Sequence, residues 1–251
     1  MNLGIGYSGK HSTLVAEGID FKVSEGELVG VVGANGVGKS TLLRTLIGAQ
    51  SLLSGNIEIL GKSLIEYSNQ ELATTLSVVL TEQTMASNLT VTELIALGRY
   101  PYTNWIGNLS LQDEIIVQEV IDQFKIQSVS TKQCFELSDG QLQKVLIARA
   151  IAQETPLIIL DEPTTHLDLY HKSYIFRLLR DLTKKMKKTI VFSSHEIELA
   201  IQLCDKILLM TENEIFYDSP CKLIEAGVFH NLFPEDLISF NAENGTFSVV
   251  K

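Results

Sequence analysis

The sequence predicts an α/β fold with a mostly parallel sheet covered by helices, a helical stretch set within it and a small mixed tail. Three observations carry that prediction. Strands and helices alternate in the second half, as LIILDE, a helix around Tyr174–Leu182, TIVFSS, the helix EIELAIQLC and KILLM; alternation of this kind builds parallel sheets. Earlier, the apolar run ELVGVV leads into the glycine-rich GANGVGKS and then the helix-like TLLRTLIGA. Between them, from about Thr90 to Ile151, apolar residues recur at helical spacing.

Taken in order, DFKV and ELVGVV read as strands around a Glu25–Gly26 turn. After the glycine loop and its helix, NIEIL and LSVVL form a second strand-rich stretch to about Gln83. VTELIALGR, QDEIIVQEVIDQF and QLQKVLIARAIAQ follow as helices. The stretch from NEIFYDSP through GTFSVVK reads as the mixed tail.

The 251 residues are 45% hydrophobic, which suits one α/β unit with a sizeable core or two closely joined subdomains. A formal net charge of −10 argues against nucleic acid as a partner. Lys184, Lys185, Lys187 and Lys188 read as a solvated helix C-terminus that complements the macrodipole. Cys134, Cys204 and Cys221 are odd in number and scattered, which fits a reducing compartment and neither a disulfide framework nor a zinc site. MNLGIGYSGKHST lacks the form of a signal peptide, and no apolar run approaches the ~20 residues that span a bilayer. A cytoplasmic protein, able to dock on a membrane protein, is expected.

Gly33-Ala-Asn-Gly-Val-Gly-Lys39-Ser40 is a complete G-x-x-x-x-G-K-[ST] phosphate loop in its required setting, after a buried strand and before a helix. Gly33, Asn35, Gly36 and Gly38 are its loop contacts, with backbone N–H groups curling round the phosphates. Lys39 reaches the β- and γ-phosphates, and the Ser40 hydroxyl ligates Mg²⁺. Gly4-Ile-Gly-Tyr-Ser-Gly9 fits G-x-G-x-x-G literally, but it lacks the preceding strand and following helix of a dinucleotide site and is rejected. LIIL ends in Asp161 and Glu162. Beside a phosphate loop, the aspartate at such a strand end holds Mg²⁺, and the glutamate can orient or deprotonate the attacking water. His195, just past TIVFSS, is a candidate γ-phosphate contact; His166 and His171, five apart, do not suggest a metal pair.

GANGVGKST, Gln83 after LSVVLTE, LSDGQ at 137–141, LIILDEPT, Thr165-His166-Leu167-Asp168 and Ser193-Ser194-His195, in this order, resemble the nucleotide-binding subunit of an ATP-binding cassette (ABC) transporter across essentially the whole chain. The resemblance implies a RecA-like ATPase core, about 1–84 and 152–251, with an inserted helical subdomain of about 85–151. It implies that Lys39, Ser40 and Thr41 contact phosphates, that Gln83 touches Mg²⁺ and relays nucleotide state, and that Glu162 is the catalytic base. Asp168 would be the loop aspartate at a dimer seam, His195 the γ-phosphate switch and Tyr7 the aromatic stacked on adenine. Two subunits would pack head to tail, so that Ser138, Gly140 and Gln141 cap the ATP held by the partner's loop.

Asp139 departs from the commonest form of that motif, which has glycine there. A carboxylate ~4 Å from a phosphate charge is repelled by about 4 kcal/mol at an effective dielectric near 20, so its side chain is expected to turn away and support the helix N-terminus. LTVTELIALGRYPYTNWIGNLSLQDE, Leu89 to Glu114, resembles the helical subdomain of importers for iron–siderophores, haem and cobalamin, although Arg99-Tyr-Pro-Tyr102 also reads as a plain helix terminus before proline. The expected protein is the ATPase subunit of such an importer, peripheral on the inner face of the membrane. Its expected partners are a second copy, permease subunits and, indirectly, an exported binding protein. The alternative is a soluble cassette ATPase such as an iron–sulfur cluster assembly factor. A non-hydrolysing module is disfavoured by the presence of Lys39, Asp161, Glu162 and His195.

Overall fold

The computed structural model describes residues 2–9, 12–80, 88–103, 107–233 and 236–250. In chain order the described elements are β1 (Leu3–Tyr7), β2 (Thr13–Ile19), β3 (Leu28–Val32), α1 (Lys39–Leu46), β4 (Glu58–Ile59), β5 (Lys62–Ser63), α2 (Asn69–Thr75) and β6 (Leu76–Val79). Then come α3 (Val91–Ala96), α4 (Leu111–Gln123), α5 (Asp139–Ala152), β7 (Leu157–Leu160), α6 (Leu169–Met186), β8 (Thr189–Ser194), α7 (Ile197–Leu203) and β9 (Lys206–Met210). β10 (Ile215–Asp218), α8 (Pro220–Glu225), β11 (Ile238–Asn241) and β12 (Thr246–Val249) complete the order.

The chain divides into two compact units, residues 1–66 with 176–251, and residues 67–175. In the first, strands run in the order β10-β9-β3-β8. β3 pairs in parallel with both β8 and β9, and β10 closes the edge antiparallel to β9. Every residue of β3 is buried, as a strand covered on both sides must be. Phe176 and Phe192 meet edge to face at 5.1 Å in this core. In the second unit β6 and β7 pair in parallel, and α3, α4 and α5 bury Ile95, Val117, Val145 and Ile147.

Three local readings of the sequence need correction. DFKV is not a strand; β2 lies upstream at Thr13–Ile19 and pairs antiparallel with β1. Phe21 gives DFKV its alternation, but its ring packs on Tyr217 at 5.5 Å rather than projecting from a ladder. NIEIL shrinks to a two-residue arm, because Leu60 and Gly61 take positive φ of 50° and 79° and turn the chain into a β4–β5 hairpin. The helix α2 went unread: none of its residues is buried, so it has no apolar period, though a capping box of Ser68 and Glu71 starts it. Gly4 and Gly6, the rejected dinucleotide motif, lie inside β1, where a Cβ at Gly4 would meet Ser54 Oγ at 2.4 Å.

Candidate active site

The candidate residues fall into two groups, one in each compact unit. In the first unit, β3 ends at Val32 and the chain turns through Gly33, Gly36 and Gly38 at positive φ of 151°, 86° and 104°. A side chain at Gly33 would place its Cβ 2.1 Å from Met210 O, so only glycine lets the loop leave the strand this way. Gly38 caps α1, whose first turn carries Lys39, Ser40 and Thr41 and no acid. Their N–H groups have no intrahelical carbonyl and lie at the positive end of the dipole, as anion binding requires. Lys39 is buried, and its Nζ donates to the carbonyls of Gly33 and Ala34 at 2.9 Å each, which holds the cation over the loop. Asn35 and Gly36 are exposed at the loop's crest. Tyr7, the last residue of β1, is exposed, with its hydroxyl 3.5 Å from Thr41 Oγ1.

Parallel register places His195 beside this loop's root. Val32 lies opposite Ser194, so the residues after them, Gly33 and His195, leave neighbouring strands at the same C-terminal edge, where α/β sheets bind ligands. His195 Nε2 sits 3.2 Å from Glu196 Oε1, and its side chain is 41% exposed, accessible to a nucleotide phosphate.

In the second unit, β7 delivers Asp161 and Glu162. Asp161 is buried, and its N–H donates to Val79 O at 2.8 Å, prolonging the β6–β7 ladder by one bond. Glu162 takes φ 46°, a left-handed conformation that strains a residue with a side chain. Thr165 holds it there, with Oγ1 donating to Glu162 Oε2 at 3.0 Å and the N–H to Glu162 O at 3.2 Å. The loop thus fixes a carboxylate just beyond a strand end.

Ser138 caps α5 through a capping box: its Oγ accepts the Gln141 N–H, and Gln141 Oε1 accepts the Ser138 N–H at 3.1 Å. The first-turn N–H groups of Asp139 and Gly140 have no carbonyl acceptor within the helix. Asp139 lines a hollow of about 150 Å³ together with Gln143, Asp161, Glu162, Thr165 and His166. Asp168 Oδ1 accepts both the N–H and the Nδ1 of His171, each at 2.8 Å. These bonds hold its carboxyl below the usual range, the backbone bond contributing most. Gln83 lies outside the described residues.

Arg99 is one residue whose part the sequence left undecided. It is buried, with Nε 2.8 Å from Asp113 Oδ1, and Nη1 donates to Ala152 O at 2.7 Å and to Glu154 Oε2 at 2.8 Å. Its guanidinium also lies 4.2 Å from the centre of the Tyr102 ring. The Arg99–Tyr102 segment therefore ties the end of α3 to α4 and α5. Only the lack of any ordinary reason for arginine in an apolar helical stretch hinted at it.

A glycine loop leaving a buried parallel strand and closing on a caged lysine defines a phosphate-loop nucleoside triphosphatase. Comparison with known proteins narrows the class. The family model described as ABC transporter matches residues 16–165. The chain is 35% identical over 99% of its length to an ABC transporter ATP-binding protein of Methanocaldococcus jannaschii, of which the match covers 85%. It is 32% identical over 93% of its length to the achromobactin transport ATP-binding protein of Dickeya dadantii, covering 86% of that protein. Its fold matches a chain of an inward-facing ABC transporter assigned to the metal-chelate type, with TM-score 0.81 and 27% identity over 99% of this chain and 94% of the other. The chain belongs to the ABC transporter family and is one of its ATP-binding ATPases. No helix among the described residues is long and apolar enough to cross a membrane.

Proposed function

We propose that this ATPase drives an importer of an iron chelate, haem or cobalamin, working as a homodimer beneath a permease on the inner face of the membrane, with an exported binding protein upstream. The observation that carries the chemistry is the shared strand edge at which the phosphate loop and His195 emerge. The chelate assignment is supported by the relative named for achromobactin transport and by the likeness to a metal-chelate type transporter. Both favour an importer over a soluble assembly factor.

The roles on a bound ATP follow from the donor chemistry. Lys39 and the N–H groups of the loop and of Ser40 and Thr41 bind the phosphates, with Gly33, Asn35, Gly36 and Gly38 giving the backbone its curl; Tyr7 stacks on adenine. The hard oxygen donors Ser40, Asp161 and Gln83 suit Mg²⁺, which, when bound, would offset the triphosphate charge. Glu162, locked by Thr165, orients the attacking water and accepts its proton as the water oxygen bonds to the γ-phosphorus. The bond to the β–γ bridging oxygen breaks, leaving ADP and phosphate, and His195 contacts the γ-phosphate. The partner subunit's Ser138, Gly140 and Gln141 cap the triphosphate, and Asp168 lies at the seam.

Isolation from gently solubilised membranes of the native host tests the assignment. The chain is expected to copurify with a polytopic permease, and recovery only with soluble assembly proteins would overturn the importer reading.

A further inference from the structure

The ring of His171 lies against Gly140. A Cβ built on Gly140 would fall 2.6 Å from His171 Cδ2, 3.1 Å from Cγ and 3.2 Å from Nε2. Gly140 is the second residue of α5 and does not take a left-handed φ. Its backbone conformation therefore does not call for glycine, and alanine would favour the helix; what excludes a methyl there is the imidazole. The opposite side of the same ring is fixed by Asp168, whose Oδ1 accepts Nδ1 and also the backbone N–H of the same residue. A carboxylate only accepts, so Nδ1 carries the proton. Tyr170 stands edge-on to the ring at 5.2 Å.

We propose that His171 is a positioning residue that makes the start of the LSDGQ helix and Asp168 one rigid piece of the dimer seam; this rests on the ATP-sandwich reading above. Gly140, two residues after Ser138, meets one side of the ring and Asp168 the other. One imidazole thus sets the distance between two groups that meet the partner subunit. Without it, the first turn of α5 and the loop before α6 are placed independently, and each closure on ATP has to order both.

The test uses the full chain in a Glu162→Gln background, which slows hydrolysis by removing the proposed base, and measures the ATP concentration that half-converts monomer to dimer by sedimentation. His171→Ala is expected to raise that concentration about tenfold, a coupling size usual between residues in contact. With Glu162 restored, the same change is expected to raise KM for ATP while kcat at saturating ATP holds within about twofold, the pattern of lost binding rather than lost chemistry. His171→Asn, whose amide can still donate to Asp168 but has no ring against Gly140, is expected to recover part of the loss.

Melting of the nucleotide-free protein keeps the packing premise separate. Gly140→Ala is expected to lower the melting temperature with His171 present and to raise it when residue 171 is alanine. If Glu162→Gln forms no ATP-dependent dimer, the sandwich reading itself falls. If it dimerises and His171→Ala leaves the midpoint unchanged, or if the sign of the Gly140→Ala effect does not switch, the role of His171 is overturned while the sandwich stands.

Discussion

At the scale of single residues, charge near a phosphate site is the sharpest constraint, and Asp139 is its hardest case. A carboxylate pointed at a triphosphate would oppose binding by several kcal/mol. Asp139 is exposed at the first position of α5, where a carboxylate favours the helix dipole, and its side chain is expected to stay turned away from the partner's nucleotide. Removing it weakens the helix start slightly and touches nothing else, because the side chain is exposed. Asp139→Gly is therefore expected to change the steady-state ATPase rate by no more than about twofold, with a small drop in melting temperature. A gain in rate of about tenfold would mean that the carboxylate faces nucleotide in the working dimer.

At the scale of elements, legibility followed burial. The strands β3, β7, β8 and β9 are apolar and covered, and each was readable from its run of β-branched residues and leucines. β2, half exposed along its length, and α2, with no buried residue, offered no periodicity and were missed. The Arg99 tie was missed for another reason: an ion pair is set by residues far apart in sequence, here 14 and 55 positions away. Hydrogen bonds from Ser110, and then Arg99, hold the Asp113 carboxyl down at about 2 from its ordinary 3.8. A depressed carboxylate pKa contributes stability above about pH 4 that is lost as pH falls towards 2. Arg99→Ala strands that buried carboxylate and is expected to cost about 3 kcal/mol at neutral pH in chemical denaturation. The deficit relative to the parent protein is expected to shrink as Asp113 protonates in acid; a pH-independent deficit would show that packing, not charge, is lost.

At the scale of the whole molecule, the sequence motifs specify local geometry well and assembly poorly. The caged Lys39, the strand-end pair Asp161 and Glu162 and the capped Ser138 sit in the strand, loop and helix settings expected of them, because each setting is made by a few consecutive residues. Whose nucleotide Ser138 serves is a property of two chains, and mixing variants decides it. If the phosphate loop of one subunit works with the signature helix of the other, a Lys39→Ala chain and a Ser138→Arg chain each form only defective homodimers. A heterodimer of the two concentrates both defects in one site and leaves the second intact, by the symmetry of a twofold interface. Random exchange makes half the dimers heterodimers, so an equimolar mixture is expected to recover about a quarter of the parent ATPase rate if the sites act independently. If Ser138 instead served its own chain's nucleotide, every site in the mixture would carry one defect, and mixing would restore nothing. Phosphate release from the two variants alone and combined separates these outcomes, and silence in the mixture would remove the head-to-tail dimer from the mechanism.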